Sequence, residues 1–209
     1  MINEDLLGLI NRNLLKSILY SKRYGRRIII KNKSKLYIDK TAKINIGGTL
    51  EIGKIWPHTA YKTTSFVVEK NASFINKNYL EVISGSYIKV SEGAHLEIGG
   101  GVINQNANIQ CYHSIIMGED MAISENVTIR DTDNHFIIQD GKKHNNTAPI
   151  RIGNHVWIGL GVTILKGVSI GDNVIIAANS LVTHDSPSNS LAAGSPARVV
   201  KTNVTWSWA

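Results

Sequence analysis

The sequence predicts an all-β fold, a parallel β-helix built from six-residue turns, on the strength of three observations. Aliphatic residues recur at every sixth position from Ile152 to Val182, a period that fits neither an α-helix nor a simple strand alternation. Small or slim residues stand four positions after them, from Val156 to Ser180. No amphipathic helix interrupts residues 90–185, so the helical crossovers of an ordinary parallel sheet are missing. Short strands and tight turns therefore stack as the coils of a solenoid.

One aliphatic side chain per turn returns to the same inward position, and stacked coils bury these side chains as a continuous ladder. The predicted ladder consists of Ile152, Ile158, Ile164, Ile170, Ile176 and Val182. Upstream, residues 36–53 and 87–101 follow the rhythm more loosely, whereas residues 54–86 follow it poorly. We therefore expect irregular early coils over residues 54–86.

The basic charge of the chain belongs to its N-terminal end. The net charge is +7, and residues 1–35 hold nine Lys or Arg against two Asp or Glu. Apolar residues at helical spacing predict an amphipathic helix there, with Gly25 as its stop: Leu6, Leu7, Ile10, Leu14 and Ile18. Three interpretations remain open: a helix capping the body of the fold, a helix docked on an anionic membrane surface, or a nucleic-acid contact.

Composition indicates a single globular domain. The chain has 209 residues, 43% of them hydrophobic, which is enough for a sizeable core. Its one cysteine, Cys111, falls at an inward coil position and cannot form a disulfide within the chain, which suits a reducing compartment. No run approaches the length of a membrane span, and the first twenty residues do not resemble a signal peptide. We expect a cytoplasmic protein.

The repeat breaks in one place. Ile129 and Ile152 are 23 positions apart, which is not a multiple of six, so an extruded loop over residues 130–150 must leave the coils. Loops of this length in compact domains are usually either functional or disordered. The predicted organisation is a basic N-terminal extension (1–35), a β-helix domain (36–187) and a C-terminal tail (188–209) that caps the last coil.

Three short elements give the chain a family resemblance: "VWIG", "AGSPARVVK" and "DTDNH". With the hexapeptide run they resemble the hexapeptide-repeat acyltransferases, in the branch of acetyl-CoA-dependent sugar and polysaccharide O-acetyltransferases that includes galactoside- and maltose-type enzymes. The resemblance covers residues 87–201. It implies a left-handed β-helix and a homotrimer with active sites in the clefts between subunits. It also implies acetyl-CoA as co-substrate and no metal.

The resemblance places a general base at His135. Transfer of an acetyl group to a hydroxyl requires removal of the hydroxyl proton, which a side chain with a pKa near 6.5 can do at neutral pH. A carboxylate would orient the ring, and Asp131 and Asp133 are both candidates. His144, in the same loop, is the rival base.

A second set of residues is predicted to hold the donor. Close approach of the pantetheine arm to the coil edge favours small residues, and the resemblance places an indole in the cleft. Basic side chains would meet the phosphates. The set comprises Trp157, Gly159, Ala177 and Ala178 for the arm, with Lys166, Arg198 and Lys201 for the phosphates.

The resemblance implies an O-acetyltransferase acting on a sugar hydroxyl, in the making of a bacterial surface polysaccharide. N-acetylation of a nucleotide-linked amino sugar and a non-catalytic solenoid scaffold remain as alternatives. Two further motifs carry little weight. The "GVSIG" match to a nucleophile elbow has Ile170 in hexapeptide register, and the histidines lack the close-spaced pair of a three-histidine zinc site.

Overall fold

The computed structural model describes residues 4–31, 33–56 and 62–208, with side chains described from Asn13 onward. The chain opens with one helix, α1 (Glu4–Tyr24), and continues almost entirely as short strands. No helix formed by the described residues is long and apolar enough to cross a membrane.

The strands preceding the break in the repeat are β1 (Ile28–Ile30), β2 (Ser34–Ile38), β3 (Lys43–Ile46), β4 (Leu50–Lys54), β5 (Thr64–Val68), β6 (Ser73–Asn76), β7 (Leu80–Ile83), β8 (Tyr87–Val90), β9 (His95–Ile98), β10 (Gly101–Ile103), β11 (Asn108–Cys111), β12 (Ser114–Met117), β13 (Met121–Ile123) and β14 (Thr128–Arg130). The strands that follow are β15 (Ile138–Gln139), β16 (Lys142–Lys143), β17 (Ile150–Ile152), β18 (Trp157–Ile158), β19 (Thr163–Ile164), β20 (Ser169–Ile170), β21 (Ile175–Ile176), β22 (Leu181–Val182), β23 (Ser190–Gly194) and β24 (Ala197–Thr202).

The strands form three parallel faces. The first face runs β1-β4-β7-β10-β13-β18-β21-β23-β24, the second β2-β5-β8-β11-β14-β19-β22, and the third β3-β6-β9-β12-β17-β20. Within the coils, consecutive strands lie on the first, second and third face in turn. Pairing is parallel throughout the three faces except between β23 and β24. The chain therefore winds as a triangular prism, and the predicted left-handed parallel β-helix is confirmed.

The interior is the predicted aliphatic ladder. All six of its members are buried, from Ile152 to Val182, and the smaller side chains between them, from Val156 to Ser180, are buried as well. Ile152 pairs with Ile170 on the next coil, eighteen positions on, which is three six-residue turns. A side chain that recurs every six residues thus meets its equivalent directly above.

The structure of residues 54–86 differs from the irregular coils that we expected there. The strands here belong to the same three faces as the others, because β5 pairs with β2 and β8, and β7 pairs with β4 and β10. The β4–β7 pair has one register shift, between Ile52 and Lys54. The expectation of irregular coils was wrong, although residues 57–61 lie outside the described part. The six-residue rhythm is lost because the turns vary in length: Leu50 pairs with Leu80, thirty positions on.

Both ends of the solenoid differ from the predicted boundaries. Coil structure begins at Ile28, before residue 36, because β1 pairs with β4 and α1 packs beside β1. At the other end β23 continues the first face by pairing with β21, and β24 folds back antiparallel to β23. Residues 203–208 then run back along the outside of earlier coils.

The ladder generates a stability prediction. Ile164→Ala removes a fully buried side chain and should lower the free energy of unfolding by about 2–5 kcal/mol. Urea titration followed by circular dichroism would measure it. Val200→Ala, at a position that is 57% exposed, is the matched control and should change stability by no more than about 0.5 kcal/mol. Equal effects of the two changes would contradict the ladder as the source of stability.

Candidate functional site

The break in the repeat forms an ordered arm. β15 and β16 pair antiparallel, and Thr132 bridges to Thr147 at the base. The Asp133 N–H donates to the Asn146 carbonyl at 2.8 Å. We call residues 132–147 the hairpin arm. It leaves the corner between the second and third faces, since it follows β14 and precedes β17.

Asp131 anchors the foot of the arm. Its side chain is fully buried, and one carboxylate oxygen accepts a hydrogen bond from the Tyr112 N–H at 2.7 Å. The other oxygen accepts from the His113 and Ser114 N–H groups, both at 2.8 Å. The carboxylate therefore ties the exit of the arm to the turn of the preceding coil, so its acceptors are used by the backbone and are not available for orienting His135.

Cys111 lies beside this carboxylate. It is fully buried, as its inward coil position predicted, and its thiol donates to the His95 carbonyl at 3.2 Å. Burial raises the pKa of the Cys111 thiol, and the Asp131 charge raises it further. A buried thiol that resists ionisation is a poor nucleophile, which makes Cys111 part of the core.

Asp133 and Lys166 clamp the arm to the next coil. The Lys166 ammonium lies 3.2 Å from the Asp133 carboxylate and donates to the Asn145 carbonyl at 3.3 Å. Lys166 was predicted to contact donor phosphates, and in the single chain it lies at the base of the arm. Its charge is already paired there, so it holds both strands of the arm against the solenoid.

His135 is presented near the start of the arm, with its side chain exposed. Among the contacts of the described residues, neither Asp131 nor Asp133 hydrogen-bonds to its ring. The three residues that follow, 136–138, are apolar and also exposed, and the Lys143 ammonium lies 3.5 Å from the centre of the Phe136 ring. His144 is exposed on the returning side of the arm. The arm thus carries both candidate bases outward beside an uncovered apolar surface.

The small residues predicted for the donor come together at another corner, between the first and second faces. The Gly159 N–H donates to the Ile176 carbonyl at 2.8 Å, and the Ala177 N–H donates to the Ala192 carbonyl at 2.9 Å. A Cβ at Gly159 would lie only 2.8 Å from the Ala178 nitrogen. Stacking of the coils therefore requires glycine at position 159 whether or not a ligand binds there.

Two of the basic candidates join this corner. Arg198 lies opposite Ala193 on the β23–β24 pair, and Lys201 lies opposite Leu191. Both basic side chains are exposed. One guanidinium nitrogen of Arg198 donates to the Ala197 carbonyl at 2.8 Å and lies 3.1 Å from the ring Nδ1 of His184. Arg198 is thus held at the rim of the donor corner, which we define as Gly159, Ala177, Ala178, Arg198 and Lys201.

Trp157 lies on the first face, two residues before Gly159. It is 42% exposed, and its indole N–H donates to the Ser124 hydroxyl at 3.3 Å. A partly exposed indole can contact a ligand at the adjoining corner.

The structure separates the candidate residues into two groups. His135, Asp133 and Lys166 are at the corner between the second and third faces, whereas the donor corner is between the first and second. The strands of the second face lie between them. A single chain therefore carries the two groups of candidate residues at two different corners of one prism.

An aromatic cluster at the third corner was missed by sequence reasoning. The His155 ring stacks on the Trp206 ring with centroids 4.3 Å apart, and the Trp206 indole donates to the His155 carbonyl at 2.9 Å. The Trp208 indole donates to the Asp120 carboxylate at 2.8 Å. These contacts bind the C-terminal tail to the coils, and a cavity of about 170 Å³ lies between Ala122, Trp157 and the tail.

Charge holds this cluster together. The two ring nitrogens of His155 face the Asp120 carboxylate and the Trp206 carbonyl, which only accept, so the protonated ring satisfies both. The hydrogen bond with Asp120 accordingly raises the pKa of His155. Desolvation acts to raise the pKa of Asp120, but hydrogen bonds from His155 and Trp208 outweigh it and lower that pKa.

The similarity of this chain to known proteins agrees with its β-helix fold. Residues 149–184 match the family described as bacterial transferase hexapeptide (six repeats). The predicted resemblance to hexapeptide-repeat acyltransferases, in their sugar O-acetyltransferase branch, is confirmed.

Three similar proteins illustrate the match. The galactoside O-acetyltransferase of Escherichia coli (strain K12) is 42% identical over 101 residues, which is 47% of this chain and 49% of that protein. The polysialic acid O-acetyltransferase of Escherichia coli O1:K1 / APEC is 35% identical over 95 residues, 44% of this chain and 31% of that protein. The chain thus spans half or less of these curated relatives. The crystal structure of the polySia specific acetyltransferase NeuO superposes with a TM-score of 0.56 at 26% identity, covering 87% of this chain and 84% of that one.

Asp131→Asn tests the anchor. The amide NH₂ would face backbone donors that the carboxylate now satisfies, so we expect the free energy of unfolding to fall by about 2–3 kcal/mol. Denaturant titration would measure it. Asp140→Asn, at the exposed turn of the arm, is the matched control and should leave stability unchanged. Unchanged stability of Asp131→Asn would contradict the anchoring role.

The pH dependence of the C-terminal tail tests the aromatic cluster. Because the pKa of His155 is raised on folding, its contribution is present below the ordinary histidine pKa and lost as pH rises through the raised value. Tryptophan emission should therefore shift to longer wavelength as the pH is raised from below the ordinary histidine pKa to above the raised value. Asp120→Asn should move this transition to lower pH. An identical transition in that variant would rule out the ion pair as its cause.

Proposed function

We propose that this protein is an acetyl-CoA-dependent O-acetyltransferase that acts on a sugar hydroxyl, with His135 as general base. The observation that carries the proposal is the hairpin arm, an ordered structure clamped at its base that presents an exposed histidine. The matching hexapeptide family and the sugar O-acetyltransferases among the similar proteins support it.

The proposed chemistry is direct transfer. A ring nitrogen of His135 takes the proton from the sugar hydroxyl while the oxygen attacks the thioester carbonyl carbon. Backbone N–H groups stabilise the oxyanion of the tetrahedral intermediate. The intermediate collapses with cleavage of the carbon–sulfur bond, and the protonated histidine returns its proton to the departing thiolate. An acetyl ester and CoA result, and no acetyl group is held on the enzyme.

The donor corner fits coenzyme A in its residue types. Glycine and alanine leave the backbone of the coil edge open to the pantetheine arm, while Arg198 and Lys201 offer exposed positive charge to the phosphates. Trp157 borders the same region. Lys166 has a different proposed role, as the clamp of the arm, because its charge is paired with Asp133.

The separation of the two corners supports a homotrimer. If the arm of one copy crosses to the donor corner of its neighbour, the base and the donor meet between subunits. The same contact would cover residues 136–138, whose apolar side chains are exposed in the single chain. The site would be incomplete without the neighbouring copy.

The proposed acceptor is a sugar of a bacterial surface polysaccharide, as in the similar polysialic acid O-acetyltransferase. N-acetylation of a nucleotide-linked amino sugar and a scaffold without activity are the alternatives. An amine acceptor would release CoA with amino sugars but not with their hydroxyl analogues.

Release of CoA from acetyl-CoA, measured against a panel of sugars and surface-glycan fragments, tests the proposal. Acceptor-dependent release should fall at least about 100-fold in His135→Ala, the usual size of a lost general base. Acetyl-CoA binding, measured by calorimetry, should survive the change because the donor corner is untouched.

His144→Ala is the matched control, since it removes the other exposed histidine of the same arm. If His144→Ala loses activity and His135→Ala keeps it, the general base is His144 and not His135. Absence of both release and acetyl-CoA binding in the wild-type protein would favour the scaffold.

A further inference from the structure

The face that α1 turns toward the solenoid carries three polar side chains beside Tyr20 and Tyr24, which pack against the core. The Asn13 side chain donates to the Lys31 carbonyl at 2.8 Å. The Ser17 hydroxyl accepts from the Ile30 N–H at 2.9 Å, and the Ser21 hydroxyl both accepts from the Ile28 N–H at 2.9 Å and donates to its carbonyl at 3.1 Å. These side chains satisfy the backbone groups of β1, which is the terminal strand of the first face. The helix therefore covers a sheet edge that would otherwise be open.

The apolar side of α1 consequently faces outward. Four aliphatic side chains are 55–65% exposed: Leu14, Leu15, Ile18 and Leu19. At about 100° per residue, Leu15 and Leu19 lie opposite the serines, and Leu14 and Ile18 lie on the flank between them. Leu14 and Ile18 therefore do not pack against the body of the fold, as the first of the three interpretations of this helix would have them do. The placement of Leu6, Leu7 and Ile10 lies outside the described side chains. A row of exposed leucine and isoleucine on one helix face is the kind of patch that marks an interaction site.

Positive charge surrounds this row. Lys16 and Lys22 are exposed on the helix, and Arg23, Arg26 and Arg27 follow at its end, all exposed. Both acidic residues of the first 35 positions, Glu4 and Asp5, stand at the far end of the helix. The apolar row is thus bordered by cations along its C-terminal half.

We propose that this face of α1, made of Leu14, Leu15, Lys16, Ile18, Leu19 and Lys22, docks the protein on an anionic lipid bilayer. A helix with an aliphatic face and flanking lysines lies in the interface plane, with its apolar side among the acyl chains and its cations at the headgroups. Lysine stems extend along the apolar surface and carry their charges to the phosphates. The inference does not depend on the catalytic proposal.

Charge complementarity selects the membrane over a second copy of this chain as the occupant. Two copies meeting through this face would bring two sets of like charges together, which opposes association. An anionic bilayer is complementary to both features, because its acyl chains accept the aliphatic row and its phosphates attract the cations.

Vesicle sedimentation with the full-length chain tests the proposal. Vesicles of phosphatidylcholine alone are compared with vesicles in which about one-third of the lipid is phosphatidylglycerol. Binding should require the anionic lipid and weaken as sodium chloride is raised, because salt screens the charges. Equal binding to neutral vesicles, or none to either kind, would overturn the proposal.

Two double variants separate the apolar and charged contributions. Leu15→Gln with Leu19→Gln keeps helix propensity and should lower vesicle binding at least about tenfold. Lys16→Gln with Lys22→Gln should lower it about 30-fold at low salt, from about fivefold per charge. Val199→Gln with Val200→Gln, and Lys40→Gln with Lys142→Gln, are matched controls elsewhere on the surface and should bind as the wild type does.

Sedimentation velocity without lipid completes the test. The mass of the assembly should be the same for the wild type and for Leu15→Gln with Leu19→Gln. A smaller assembly in that variant would make the face a contact between copies and overturn membrane docking. Far-ultraviolet circular dichroism checks that each variant is folded. If the double leucine variant does not fold, the double lysine variant alone tests the proposal.

Discussion

The rest of the molecule depends on three columns of aliphatic side chains, one inside each face, whose members follow one another every six residues along the chain. Because these columns are buried along residues 152–182 and parallel pairing joins coil to coil, the solenoid is rigid wherever its register is kept. The chain can depart only at a corner, and it must resume the register on return. The hairpin arm obeys this condition, since Ile129 before the arm pairs with Ile164 after it.

Rigidity at the foot of the arm is what gives an exposed histidine a defined position. The buried Asp131 carboxylate collects three backbone N–H groups of the preceding coil, and Lys166 on the following coil pairs with Asp133. The arm is therefore fixed from both neighbouring coils by charged hydrogen bonds, which are stronger than neutral ones. Asp131 and Asp133 therefore hold the arm that carries the candidate base, and within the described residues neither of them hydrogen-bonds to the histidine ring.

The sequence allowed the ladder, the break and the residue types of the site to be predicted, because each is a local pattern. The residues that these side chains contact could not be predicted, because they come from distant parts of the chain. The Asp131 carboxylate accepts a hydrogen bond from Tyr112, and His155 stacks on Trp206, 51 positions away. Residues 54–86 were misjudged for a related reason. A fixed period detects coils only when the turns are equally long, whereas the fold requires only that strands meet in register.

The N-terminal helix shows where an amphipathic pattern misleads. Such a pattern predicts an inward apolar face when the neighbour is an apolar surface, but the neighbour of α1 is a strand edge with free N–H and C=O groups. Four helical residues advance by about 6 Å, and two strand residues by about 6.6 Å. Polar residues spaced by four on the helix, as Ser17 and Ser21 are, therefore match strand residues spaced by two, as Ile30 and Ile28 are. That fit commits the polar side to the edge strand, and it is the reason the aliphatic side faces outward.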